Sequence, residues 1–172
     1  VTLRAGGQEL KVHKLILSSR SPVFKQMLSS EMTEASTGIV NISDVEPDVL
    51  KHLCGFMYSG GVQETVWESD DTVFRLMHAA SRYELGSLLI LCARKAEEGI
   101  CVDNVAETLQ VSVELNAEGL KARCMTFVAR HLSDVQATDG WKRLMKNKSV
   151  VFEIAPILFE TISPPPTKKA KQ

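Results

Sequence analysis

The side chains best able to bind a metal or act as nucleophiles in this sequence are its four histidines and four cysteines. They are His13, His52, His78, His131, Cys54, Cys92, Cys101 and Cys124. A zinc site needs paired ligands at spacings such as CxxC or HxxxC, and neither spacing occurs. The motifs GxSxG, HExxH, GxGxxG and the P-loop are also missing. We therefore predict no metal, no cofactor and no catalytic residue, and expect that the chain is not an enzyme.

The placement of the cysteines bears on their redox state. Three of them, Cys54, Cys92 and Cys124, lie at apolar positions of helix-like segments, and Cys101 does not. An even number of cysteines allows two disulfides. The chain length, the spacing and the lack of a secretory signal instead favour reduced thiols in a core.

Composition and charge narrow the class of protein further. The chain has 172 residues, of which 44% are apolar and 24% charged, with a net charge of −1. Such a chain can bury a core, and its charge would attract neither nucleic acid nor an anionic membrane. No apolar run approaches the roughly 18–20 residues that a membrane span needs. Because the chain starts with Val1 inside a strand-like pattern, we expect it to be a fragment of a longer protein.

Strand signals occur only in the first half of the sequence. Residues 1–5 and 8–13 alternate apolar and polar side chains around Gly6-Gly7, which predicts a two-residue hairpin turn. Residues 39–43 predict another short strand, with apolar side chains on one face. The acidic stretch 62–72 is predicted to be irregular.

In this half, capping and helix-breaking residues predict where the helices begin and end. A short helix precedes Ser21, and Ser21 with Pro22 predicts the N-cap and first residue of the next helix, which should end near Glu31–Met32. A further helix over residues 47–60 should begin at a proline and end at paired glycines. A helical hairpin should then break at Leu85–Gly86.

The rest of the chain contains only helix signals, so the fold class is α+β. Asp103 is predicted to cap the first of these helices, and Pro156 to kink or break the last. We divide the chain into a mixed domain at 1–99, an all-α segment at 100–162 and a disordered Pro/Lys-rich tail at 163–172.

The first half resembles the BTB (POZ) domain at many positions in fixed order. In VHKLILSSRSPVFKQML the matching residues are His13, Leu17, Arg20, Ser21, Pro22, Val23 and Phe24. The likeness continues through Asp44 to Tyr58-Ser59-Gly60. The helices that follow resemble the 3-box and BACK helices of cullin adaptors, and WKRLM with the Pro/Lys-rich tail most resembles speckle-type POZ proteins. This resemblance implies a BTB/POZ fold, a small mixed sheet flanked by helices, followed by an all-α 3-box/BACK segment.

The resemblance also implies a partner, a cullin-3-type ubiquitin ligase scaffold. The family's cullin-binding signature, hydrophobic–x–Glu, corresponds to Met32-Thr33-Glu34, in which a flexible thioether would fill a groove of the partner beside an acidic anchor. Met32 could instead pack against its own domain. Tyr58 could line the same cullin-facing surface or belong to the core.

Homodimerisation is implied as well, through the first strands and first helix of the family. Leu3, Leu15 and Ile16 correspond to that dimer interface. Leu15 and Ile16 could instead be ordinary core residues, and Leu17 is expected in the core. Substrate proteins would be recruited by a domain upstream of this sequence, which is a MATH domain in speckle-type relatives. The alternative is a BTB assembly or transcriptional corepressor module that does not bind cullin.

Two features at the end of the chain qualify the resemblance. The segment Phe127–His131 lacks the aromatic pattern of speckle-type members, which puts their BACK assembly surface in doubt here. In the tail, Lys168, Lys169 and Lys171 resemble a nuclear localisation signal, although they could equally serve as a solubilising tail. We expect the protein in the nucleus, the cytoplasm or both.

Overall fold

The computed structural model describes residues 1–29 and 37–162, and the side chains of these residues up to 159. The chain forms two compact units, Val1–Lys95 and Ala96–Gln172. Residues 163–172, the predicted tail, lie outside the described residues.

The sheet of the first unit is built as the alternating pattern predicts. Strands β1 (Thr2–Ala5) and β2 (Gln8–Lys11) are antiparallel, and β3 (Ile39–Asn41) pairs parallel to β1, so that the order is β2-β1-β3. The predicted hairpin turn is confirmed, because Gly6 and Gly7 both have positive φ, 49° and 79°. Such angles are easy for glycine and give the turn the twist of the flanking strands.

Helices cover this sheet and form most of the unit. They are α1 (Lys14–Arg20), α2 (Pro22–Met27), α3 (Pro47–Ser59), a 3-10 helix (Glu64–Glu68), α4 (Asp70–Arg82) and α5 (Gly86–Glu98), which crosses the division at Lys95. The largest fully buried side chains include Leu3, Leu17, Phe24, Leu53, Leu76 and Tyr83. The predicted stop of α3 is confirmed, since Gly60 closes it in the left-handed region with φ 74°.

Ser21 is the most constrained polar residue of this unit. As predicted, it caps α2, its Oγ accepting the N–H of Phe24 at 3.2 Å. The same Oγ donates to the carbonyl oxygen of Tyr83, 62 residues away, at 2.7 Å. The ring of Tyr83 stacks on Phe24 at 4.7 Å, and both side chains are buried. One hydroxyl therefore joins a local cap to the tertiary core.

Replacing this hydroxyl should be costly. We expect Ser21→Ala to lower the free energy of unfolding by about 2–3 kcal/mol, because it removes an N-cap and leaves a buried carbonyl oxygen without its donor. Urea denaturation followed by circular dichroism measures the loss. Ser19→Ala is the matched control, since the exposed Ser19 hydroxyl bonds only to Ile16 of its own helix. Equal effects of the two substitutions would refute this role of Ser21.

Two predictions about the first unit were wrong. Helix α2 ends at Met27 and does not reach Glu31–Met32, with Leu28 as its C-cap. The serines that follow compete for backbone hydrogen bonds and extend a helix poorly. The acidic stretch is also ordered: it forms the 3-10 helix, and Ser69 then caps α4 by accepting the N–H of Thr72 at 3.4 Å.

The second unit is helical throughout its described part. It contains α6 (Val105–Glu114), α7 (Glu118–Arg130), α8 (Leu132–Ala137), α9 (Asp139–Leu144) and α10 (Lys148–Ile162). Helices α6 and α7 pack on each other, and α10 packs on both. Lys121 of α7, only 8% exposed, bonds at 2.8 Å to Glu118 and to Glu153 of α10. This paired ammonium fastens α10 to α7.

The sequence misplaced one helix boundary in this unit, and of the two effects predicted for Pro156, a kink or a break, the break is wrong. Asn104, not Asp103, is the N-cap of α6, and its side-chain oxygen accepts the N–H of Cys101 at 2.8 Å. The amide also donates to Gly99, which closes the turn before the helix. Helix α10 continues through Pro156 and is not broken there.

Candidate partner-binding surface

The surface around the end of α3 is organised by Tyr58. Its side chain is 43% exposed, and its hydroxyl oxygen accepts the backbone N–H of His13 at 2.8 Å. The same oxygen lies 2.8 Å from His13 Nδ1, and the two rings are tilted with centroids 5.9 Å apart. The hydroxyl is therefore fixed while part of the ring faces solvent. A rigid, amphipathic aromatic of this kind is a typical anchor of a protein interface.

The backbone next to Tyr58 is fixed as well. Ser59 Oγ donates to the carbonyl oxygen of Gly55 at 2.9 Å and accepts the N–H of Gly61 at 3.1 Å. Together with the left-handed Gly60, these contacts hold the last turn of α3 in place. A partner binding here would have little loop motion to suppress, which lowers the entropic cost of binding.

Residues at the end of α3 also line a groove. It has a volume of about 360 Å³. Its lining includes Arg20, Phe56, Met57, Glu84, Leu85 and Ser87. The apolar side chains form the floor, with Met57 and Leu85 buried and Phe56 half-buried, while both charged side chains are exposed. Sequence reasoning did not identify this groove, because its residues come from three separate segments.

Glu84 has an unusual backbone conformation at the edge of that groove. Its φ is 54°, in the left-handed region, where it occupies the first position beyond the C-cap of α4. The N–H groups of Glu84 and Leu85 donate to Ser81 and Ala80, at 3.1 and 2.8 Å, which defines a Schellman motif. Glycine normally fills this position, and a β-carbon there costs about 1–2 kcal/mol. The sequence predicted a break one residue later and gave no sign of this strain.

The same motif ends α6, with a more ordinary residue. There Asn116 has φ 51°, and the N–H of Ala117 donates to Ser112 at 2.8 Å. Asparagine tolerates the left-handed region well. Glu84 is thus the strained member of the pair.

The predicted dimer residues differ in their placement. Leu15 is 80% exposed on α1, and Ile16 beside it is half-buried. Leu3 is completely buried in the core of its own sheet and has no side-chain surface to offer a partner, so we treat it as a core residue. Leu17 is buried, as expected. For Leu15 and Ile16 the interface role stays a prediction.

Several other predicted residues cannot be placed. Met32 and Glu34 of the hydrophobic–x–Glu signature, like Lys168, Lys169 and Lys171 of the tail, lie outside the described residues. Their assigned roles stay predictions. Tyr58 is placed at the surface and not in the core.

Three of the four cysteines are buried, which lowers the reactivity of their thiols. Burial raises the pKa of the thiols of Cys54, Cys92 and Cys124 to about 12, so they remain protonated near neutral pH. A protonated thiol is a poor nucleophile and a poor metal ligand. All four cysteines are free. Within residues 1–29 and 37–162 no three of the His, Cys, Asp and Glu side chains come together as a metal site would require.

The fold and this surface define a class of protein: a protein-interaction module, with exposed anchors on a rigid helical frame. Residues 1–100 match the family described as BTB/POZ domain, and residues 104–154 match the family described as BPM/SPOP, BACK domain. The chain belongs to the BTB/POZ domain family. The predicted α+β BTB/POZ fold followed by a helical BACK-type segment is thereby confirmed.

Two relatives agree with this assignment. TD and POZ domain-containing protein 4 of Mus musculus is 36% identical over 85% of this chain and 39% of its own length. TD and POZ domain-containing protein 5 of Mus musculus is 35% identical over 84% of this chain and 42% of its own. The chain thus spans about two fifths of these relatives. The BTB domain of human Gigaxonin is 22% identical, with a TM-score of 0.45 over 54% of this chain and 73% of that structure.

In the described part of the chain, no helix combines the length and the apolar character that crossing a bilayer demands.

Proposed function

We propose that this chain is a non-catalytic, homodimerising adaptor module that docks a cullin-3-type ubiquitin ligase scaffold. The observation that carries the proposal is the order of the two family matches, a BTB/POZ domain at 1–100 followed by a BPM/SPOP-type BACK domain at 104–154. The surface at Tyr58 supports it, because a fixed and partly exposed aromatic can anchor a partner without rearrangement.

The adaptor acts by proximity and needs no reactive group of its own. One surface binds the scaffold, through Met32, Glu34 and Tyr58, and a domain upstream of this sequence holds the substrate protein. Self-association through Leu15 and Ile16 presents two scaffold arms and two substrate-binding domains in one complex. Bivalent engagement raises the overall affinity for substrates with two binding segments, because the second contact becomes intramolecular. The lysines of the tail serve nuclear import, and the protein works in the nucleus, the cytoplasm or both.

Size-exclusion chromatography with light scattering tests both parts of the proposal. We expect the mass of two chains for the protein alone, and the mass of two chains with two scaffold domains after addition of a purified cullin-3 N-terminal domain. A dimer that forms no complex would contradict the adaptor function and favour the assembly or corepressor module.

The dimer interface is tested in the same experiment. Leu15→Asp should give the mass of a single chain, because a charge replaces a side chain that is 80% exposed and free of core packing. Ile90→Asp is the matched control, since Ile90 of α5 is also exposed, at 57%, and lies outside the proposed interface. A dimer that survives Leu15→Asp would exclude this part of α1 from the interface.

A further inference from the structure

The last helix, α10, has an apolar stripe on its outer side. Its inner side is formed by Val150 and Ile154, which are buried, whereas Phe152 is 86% exposed and Phe159 75% exposed. Residues seven apart lie about 20° apart around a helix and about 10.5 Å apart along it, so the two rings stand on one face. Pro156, between them, is exposed as well. Large apolar side chains grouped in this way are typical of an interaction surface.

The spacing of this stripe fits a second copy of the same helix. The midpoint between Phe152 and Phe159 falls between Ala155 and Pro156. When two α10 helices cross antiparallel at that point, each Phe152 lies beside Phe159 of the second copy. The small side chains of Ala155 and Pro156 then meet at the crossing. Because the distance between two packed helices depends on the side chains at their contact, these residues allow a close approach.

Charge complementarity favours the same antiparallel arrangement. Lys148 lies in the first turn of α10, where a cation opposes the helix dipole, and this turn has no acidic residue. In an antiparallel pair Lys148 lies next to the carbonyl end of the second helix, whose last turn has no basic residue. A cation is favourable at that end. Parallel helices would instead bring two Lys148 side chains together, and like charges repel.

We propose that two copies of this chain pair antiparallel through α10, with Phe152 and Phe159 as the central contacts. The phenylalanines of both copies remove at most about 800 Å² from water, which is less than the roughly 1,200–2,000 Å² of a stable interface. The contact is therefore weak, and it forms at high protein concentration or between chains that are already held together. It requires neither a scaffold nor the α1 dimer. It also does not use the segment Phe127–His131, whose two end rings contact each other with centroids 4.5 Å apart.

Disulfide trapping of the full chain tests this pairing. The background variant is Cys101→Ala, which removes the exposed native thiol. In it, Ala155→Cys should give cross-linked dimers in oxidised glutathione, because residue 155 lies at the crossing. Ser149→Cys is the matched control: it is exposed on the same helix, but its two copies would lie about 20 Å apart. Adding Phe152→Ser and Phe159→Ser to Ala155→Cys should lower the cross-linked fraction about tenfold.

Thermal unfolding at low concentration separates pairing from a structural role. Lys148→Glu should lower the cross-linked fraction about threefold, but it should not lower the midpoint, because an acidic residue suits the start of its own helix. Phe152→Ser and Phe159→Ser should leave the midpoint within about 3 °C, since both side chains are exposed. A larger fall in either case would mean that these side chains support their own unit, and would count against the pairing.

Light scattering at increasing protein concentration completes the test. The average mass of the wild-type chain should rise with concentration, and that of the double phenylalanine variant should stay constant. This rise is expected whether the dilute protein is a dimer or a single chain, so a failure of the α1 interface leaves the α10 contact standing. A constant wild-type mass, or equal cross-linking of Ala155→Cys and Ser149→Cys, would overturn the pairing. Binding to phosphatidylserine vesicles without any cross-link would assign the stripe to a lipid surface and overturn it as well.

Discussion

Met32→Asp combined with Glu34→Lys is expected to abolish binding to a purified cullin-3 N-terminal domain while the chain remains a dimer. Burial of one methionine side chain contributes about 1.5–3 kcal/mol, which is the size of an interface hot spot. The first change places a charge where a thioether would enter an apolar groove, and the second reverses the charge of the adjacent anchor. A combined loss of about 3 kcal/mol or more corresponds to at least a hundredfold in the dissociation constant.

The same segment supplies a control for this double variant. Glu31→Lys makes the same change of charge as Glu34→Lys one residue before the signature, and it should alter the affinity by less than about threefold, because Glu31 is not part of the signature. Calorimetry measures the affinities, and light scattering checks that each variant is a dimer. Unchanged affinity of the double variant would refute the adaptor mechanism at its central contact.

The parts of the fold that could be predicted are those with a local physical cause. Gly6-Gly7 and Gly60 allow positive φ at little cost, and Ser21-Pro22 favours a helix start. The structure has a turn, a helix end and a helix start at those points. The family resemblance added the order of the domains. It did so through many residues in fixed order, a pattern that composition alone does not contain.

The contacts that could not be predicted join residues far apart in the chain. His13 and Tyr58 are separated by 45 residues, and no local pattern shows that a hydroxyl fixes the start of α1 to the end of α3. Leu3 has the same alternating pattern whether its face meets its own helices or a second chain, so its burial could not be decided from the strand alone. The strain at Glu84 was not predicted, because α4 ends one turn before Gly86. The left-handed position beyond its C-cap therefore falls on Glu84 and not on a glycine.

Raising the pH from 9 to 10.5 is expected to lower the free energy of unfolding of the two units by about 5 kcal/mol in total. Burial holds the pKa of three thiols, those of Cys54, Cys92 and Cys124, at about 12, whereas their ordinary value is 9.0. Above pH 9 the unfolded chain releases these protons and the folded chain keeps them. Because the unfolded state then binds fewer protons, stability falls as pH rises.

The slope follows from the number of thiols. Once the unfolded thiols are ionised, each thiol contributes about 1.4 kcal/mol per pH unit. Three thiols therefore give a slope of roughly 4 kcal/mol per pH unit, until the folded thiols themselves ionise near pH 12. Burial, followed by the nearby Asp44 carboxylate, also raises the pKa of Tyr83, which adds to the loss above about pH 10, where an exposed tyrosine ionises. Two of the three thiols lie in the first unit, which therefore loses about 3 kcal/mol between pH 9 and 10.5, a large part of the 5–15 kcal/mol by which a domain is stable.

Urea denaturation in reducing buffer between pH 7.5 and 10.5, followed by circular dichroism, measures this slope. The triple variant Cys54→Ala, Cys92→Ala, Cys124→Ala should be less stable at pH 7.5, because it leaves small cavities, but its stability should fall much less steeply with pH. Cys101→Ala is the matched control: its thiol is exposed and lies outside both cores, so the slope should not change. If the triple variant kept the full slope, the buried thiols would not be its source, and alkaline unfolding would have to begin elsewhere in the two cores.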